Sequence, residues 1–217
     1  VFGYYVTRRI SKYFTFLILR LFPRINPTII TCTAPVFGIS GAILLSFPNN
    51  LFWVIGSFLC FSFFIWDCVD GEIARIQKRT SDFGKYLDKL FHPLFNTFFL
   101  GCAGLGLYFC THLLFILYLA LLAITFTNMS ELLETLSENP DSFDRNWHKQ
   151  NIFMKIFKAF SSFQGFVFLL FLCSFTDYYF NVFYFRLGVI ILGDIFIVIK
   201  NTQREKNFLA GLRNKNL

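Results

Sequence analysis

Long apolar runs alternate with short polar, mostly basic segments along this chain. A membrane-crossing helix needs roughly 20 consecutive, mostly apolar residues. Six runs satisfy this, at about 28–47, 51–76, 83–110, 113–136, 152–175 and 179–200. Pro48-Asn49-Asn50 closes the first run, and Asn139-Pro140-Asp141 marks a turn in the longest connection, 137–151. Ahead of the first run, Val6, Ile10, Tyr13, Phe14, Leu17, Ile18 and Leu21 recur at helical spacing, while Arg8, Arg9, Lys12 and Thr15 take other positions. That pattern predicts an amphipathic helix over 3–22 lying in the membrane interface, with packing on a protein partner as the alternative. Pro23 and Pro27 end it and turn the chain into the bilayer. The expected fold is all-α: a polytopic membrane protein of six transmembrane helices with an N-terminal amphipathic interfacial helix. The expected units are a juxtamembrane segment over 1–27, a six-helix transmembrane domain over 28–200 and a tail over 201–217.

Composition agrees. Of 217 residues, 55% are hydrophobic and only 15% are charged, against roughly 25% charged in a soluble domain. The mean hydropathy is +0.56. Such a chain needs lipid as a partner, because one soluble core cannot hide its apolar groups.

Charge adds topology. The 20 Lys and Arg residues fall into four clusters, 8–24, 75–89, 145–158 and 200–215, with Arg186 alone outside them. Two apolar runs separate each cluster from the next. All basic segments, and with them both termini, are therefore expected on the cytoplasmic side. The net charge of +7 reads as a topology signal, and a nucleic-acid partner is not expected. The six cysteines contain no Cys-x-x-Cys pair and read as small buried hydrophobes. The basic segment ahead of the first run gives no reason to expect a cleavable signal peptide.

Ionisable groups inside spanning helices are costly, and mark function by default. The second run ends Asp67-Cys68-Val69-Asp70-Gly71-Glu72-Ile73-Ala74-Arg75. At helical periodicity Asp67, Asp70, Gly71, Ala74 and Arg75 share a face. Two carboxylates one turn apart suit a hard divalent cation. Gly71 and Ala74 leave room for a ligand near the backbone, and Arg75 offers a forked donor for phosphate. The third run opens with Gly84, Asp88 and His92, again one turn apart. Antiparallel neighbours would bring these groups to one cavity facing the cytoplasm. Glu72, Lys78, Arg79, Asp82, Lys85 and Lys89 read instead as solvated helix-end charges. Glu131 and Glu134 read as facing the interface, and His112 and His148 as solvated loop residues. Arg145 and Lys149 read as loop charges, and Asp194 as a structural partner of Lys155 or Lys158. A cation carrier is the competing class, but a transport site is normally built near the bilayer midplane with broken helices.

This stretch resembles the CDP-alcohol phosphotransferase signature, D-x-x-D-G-x-x-A-R, seven or eight residues, then G-x-x-x-D-x-x-x-D. Here it stands as DCVDGEIAR, eight residues, then GKYLDKLFH. Every position matches except the last, where His92 replaces the fourth Asp. Asn26-Pro27-Thr28-Ile29-Ile30-Thr31 resembles the family's Pro-Asn-x-x-Thr, with Thr28 in place of Asn. The resemblance implies transfer of a phosphoalcohol from a CDP-linked donor, either CDP-diacylglycerol or a soluble CDP-alcohol, to a hydroxyl acceptor, with release of CMP. It implies that Asp67, Asp70 and Asp88 hold one or two Mg²⁺ or Mn²⁺ ions. Thr31, Gly71, Ala74, Arg75 and Gly84 would receive the CDP moiety. His92 takes the place of the acceptor-side base. Imidazole, with an unperturbed pKa of about 6.5, suits that role, though it is a poorer Mg²⁺ ligand than carboxylate. An inactive binding subunit is the alternative that His92 raises. Family members are often dimers, so the resemblance allows a homodimer, and the sequence leaves the oligomeric state open.

Overall fold

The computed structural model describes residues 2–136, 163–176 and 188. The sixth expected run apart from residue 188, the tail, His148, Asp194 and the basic residues at 145–158 lie outside the described residues. Among the described residues the chain forms six helices and no strand. They are α1 (Phe2–Leu21), α2 (Pro27–Leu45), α3 (Asn50–Ile76), α4 (Asp82–Thr111), α5 (Leu114–Leu136) and α6 (Phe163–Cys173).

Side-chain caps start the three long apolar helices where the sequence predicts entry into the bilayer. Asn26 accepts the Thr28 N–H at 3.1 Å, and Pro27 follows at the first helical position. There proline's missing N–H costs nothing and its fixed φ already suits the helix. Asn49 accepts the Leu51 N–H at 2.9 Å to open α3. Ser81 accepts the Gly84 N–H at 3.0 Å to open α4. Each satisfies a donor that the first turn leaves free. α4 ends at His112, whose backbone is left-handed at φ 57°.

α2, α3 and α4 are long and apolar enough to cross a membrane, whereas α5 and α6 carry shorter apolar stretches, Leu114–Met129 and Phe163–Cys173. α3 has 27 residues and α4 has 30, hence lengths of about 40 and 45 Å. Both exceed the hydrocarbon core of roughly 30 Å. Their polar ends, the last turns of α3 and the first turns of α4, therefore have length to spare beyond it.

α2 packs against both α3 and α4. Its crossing with α3 is close because two glycines meet there. A Cβ at Gly41 would lie 2.6 Å from the Gly56 carbonyl oxygen, and one at Gly56 would lie 2.8 Å from that of Gly41. Small residues at a crossing let helix backbones approach where lipid offers no hydrophobic drive to associate. α3 and α4 meet through long side chains rather than backbone. Phe63 and Phe95 stack with centroids 4.3 Å apart, inside a core that also buries Trp53, Phe64, Phe99 and Phe166.

α1 departs from the sequence expectation. The predicted apolar stripe splits: Val6, Ile10 and Ile18 pack against the core, while Tyr13, Phe14, Leu17 and Leu21 are exposed. The most deeply buried positions described on α1 are hydroxyls, Thr7, Ser11 and Thr15. They face a carboxylate on α3 that needs donors, described below. The cysteines also divide. Cys60 is buried, but Cys32 and Cys110 are exposed, which corrects the reading of all six as buried.

Candidate active site

The site lies between the end of α3 and the beginning of α4. His92 Nε2 stands 3.3 Å from Asp67 Oδ1 and 3.4 Å from Asp88 Oδ1. One ligand atom from each of the three residues lies within 4.8 Å of the others. The rings of Phe63 and Phe64 flank the imidazole, with centroids at 5.5 and 6.4 Å. They supply an apolar wall that holds the ring over the carboxylates. Side-chain exposure rises from 23% at Asp67 through 28% at His92 to 54% at Asp88. The group is thus open on the Asp88 side and closed toward the aromatic core.

Asp70 lies outside that close group, one turn further along α3 and half-buried. Thr31 of α2 is buried and its hydroxyl lies beside the Asp70 carboxylate, while also donating to the Pro27 carbonyl at 3.3 Å. Arg75 folds its guanidinium back across Gly71, where an added Cβ would sit 3.3 Å from Nη1. Glycine at 71 thus leaves the space that the Arg75 fork occupies. Ala74 is half-buried on the same helix. Gly84 lies one turn before Asp88, with its N–H committed to the Ser81 cap.

Asp82 and Lys85 form an exposed pair at 2.9 Å, as expected of solvated helix-end charges. Glu72 is not one of these. It is half-buried, and its two oxygens accept from Ser11 Oγ at 2.8 Å and Thr15 Oγ1 at 2.7 Å. The four-residue spacing of Thr7, Ser11 and Thr15 was the available sequence signal for this contact. Glu131 is also more enclosed than an interface residue, for it accepts from Asn96 Nδ2 at 3.1 Å. Asn96 follows Asp88 and His92 at four-residue spacing and is buried. Asn128 beside it donates to Thr97 at 2.9 Å. These α4–α5 contacts were not foreseen, and the spacing from His92 to Asn96 is the signal that could have found them.

The sequence profile of the CDP-alcohol phosphatidyltransferases matches residues 24–199. The chain belongs to that family. A search of curated proteins finds no sequence match. The fold of this family member is similar to that of the Mycobacterium tuberculosis phosphatidylinositol phosphate synthase PgsA1, solved with CDP-DAG bound. The TM-score is 0.62 at 15% identity, over 91% of this chain and 92% of the other. At that identity the likeness speaks to the fold alone. Family membership and three helices able to cross a bilayer make this CDP-alcohol phosphatidyltransferase family member an integral membrane protein.

Proposed function

We propose that the protein transfers a phosphoalcohol group, phosphatidyl in the first instance, from a CDP-linked donor to an acceptor hydroxyl and releases CMP. The observation that carries this is the convergence of Asp67 from one helix with Asp88 and His92 from the next, at 3.3 and 3.4 Å. The Asp67 and Asp88 carboxylate oxygens, which lie with the His92 imidazole nitrogen within 4.8 Å of one another, fit a divalent cation. Oxygen donors suit Mg²⁺ or Mn²⁺. Asp67 and Asp88 would hold the ion, with Asp70 on the same face. A cation there supplies charge neutralisation and orientation for the pyrophosphate.

The remaining work falls to this chain's own residues. The Arg75 guanidinium is a planar fork matched to phosphate oxygens, and Gly71 lets it lie flat beside the site. Thr31 and Gly84 flank the expected CDP position. His92 Nε2 takes the proton of the acceptor hydroxyl, and the neighbouring carboxylates stabilise the imidazolium that forms. The acceptor oxygen bonds to the phosphorus carrying the alcohol. The bond from that phosphorus to the CMP oxygen breaks, and CMP leaves with the electron pair.

The synthase of similar fold was solved with CDP-DAG bound, which supports CDP-diacylglycerol as the first donor to test. The basic clusters at 8–24 and 75–89 support a site, and termini, on the cytoplasmic side. Exposed Tyr13, Phe16, Leu17 and Leu21 beside Arg9, Lys12 and Arg20 support α1 as an interfacial helix. The test is purified protein in detergent with CDP-diacylglycerol or soluble CDP-alcohols, a panel of hydroxyl acceptors, and Mg²⁺ or Mn²⁺. Metal-dependent CMP release is expected. Cation flux in proteoliposomes with no CMP release under any combination would overturn the reading.

A further inference from the structure

Two faces of α3 carry carboxylates through the same turns. Asp67 and Asp70, three residues apart, look toward α4 and α2, while Cys68 and Glu72, four residues apart, look toward α1. There they meet Thr7, Ser11 and Thr15, spaced four apart on α1 and 0%, 0% and 4% exposed. Ser11 Oγ donates to Glu72 Oε1 at 2.8 Å, and Thr15 Oγ1 donates to Glu72 Oε2 at 2.7 Å. One turn back, Cys68 Sγ lies 3.7 Å from Thr7 Oγ1. Both Glu72 oxygens are thus held, by donors from two successive turns of one helix.

Hydroxyl donors to an ionised carboxylate make short, strong bonds. Two of them, taken from different turns, fix both the rotation of α3 and its height relative to α1. Rotation is what the site depends on. A carboxylate oxygen lies about 6 Å from its helix axis, so a 20° turn of α3 would shift it by about 2 Å. Metal ligands tolerate only about 0.2 Å. We propose that Ser11 and Thr15, acting through Glu72, set the rotation of α3 that presents Asp67 and Asp70 to the site. Glu72 is then a positioning residue, and α1 is part of the active-site scaffold. This rests on the metal-dependent reading above.

The test compares Glu72→Gln, the double variant Ser11→Ala/Thr15→Ala, and the hydroxyl-retaining swap Ser11→Thr/Thr15→Ser, all in the full chain. Mn²⁺ binding is read directly from the EPR signal of free Mn²⁺. CMP release and metal-free melting temperature are read in parallel. Glu72→Gln and the double alanine variant should bind Mn²⁺ about tenfold to a hundredfold more weakly, the range for lost partners of metal ligands. Turnover should fall with it, while the hydroxyl-retaining swap stays near wild type. If Glu72→Gln fails to fold, the double alanine variant decides. Folded variants with lower melting temperatures but wild-type Mn²⁺ affinity would overturn the positioning role and leave the transferase reading standing. A wild-type protein that neither binds Mn²⁺ nor releases CMP would overturn both.

Discussion

Asp67 and Glu72 sit five residues apart on one helix, and their surroundings are opposite. Glu72 has a hydroxyl donor for each oxygen. Asp67 faces a second carboxylate, Asp88, and the two share one imidazole. A carboxylate whose lone pairs are met by neutral donors is finished as a structural element. Two carboxylates that share a single partner have coordination capacity left over, and gathering like charges is costly unless something positive joins them. Under the proposed function, satisfaction of hydrogen-bonding capacity, rather than position in the motif, separates the holding groups from the working ones.

Replacing the working carboxylates should do the most damage. Asp67→Asn or Asp88→Asn removes charge without volume, and CMP release should fall by about a thousandfold, since metal charge stabilisation is worth several kcal/mol. Retained metal-dependent turnover in either variant would erase the contrast with Glu72. His92→Ala comes next, with a loss of about a hundredfold or more, the usual contribution of a positioned base. Wild-type turnover in that variant would remove His92 from proton transfer. His92→Asp, which restores the family's fourth carboxylate, should remain active and use Mg²⁺ relatively better than the wild type does, seen as a shifted ratio of Mg²⁺- to Mn²⁺-supported rates. The smallest effect is expected at Asp82. It is another carboxylate of the same stretch, but its side chain is 99% exposed in its pair with Lys85. Asp82→Asn should leave turnover and melting temperature unchanged within error.

The close group of Asp67, Asp88 and His92 was legible because it is local. Residues 67, 70, 88 and 92 stand on two consecutive helices, so helical periodicity places them once the helices are known to run antiparallel. Glu72 was misread for the opposite reason. Its partners come from residues 11 and 15, and a Ser or Thr reads the same whether it faces water or a buried carboxylate. The orientation of the apolar helices was also hidden. Phe95 is buried and Phe98 is 39% exposed, yet both are phenylalanine on one helix. Lipid tails are as apolar as a protein core, so hydropathy cannot tell one destination from the other. The exposed Cys32 and Cys110 were missed on the same ground. The caps were readable in part: Pro27 marked the start of α2, whereas Asn26, Asn49 and Ser81 took their meaning from the contacts they make.

α3 and α4 are longer than the hydrocarbon slab is thick, and the turns with length to spare carry Asp67, Asp88 and His92. Under the proposed function, chemistry is thereby set at headgroup depth. For a donor tethered by two acyl chains, withdrawal into water costs about 0.8 kcal/mol per methylene, a sum that would exceed any plausible binding energy. A headgroup that slides laterally between helix ends keeps its tails immersed throughout, so a lipid donor of the proposed kind would be delivered by two-dimensional diffusion within one leaflet.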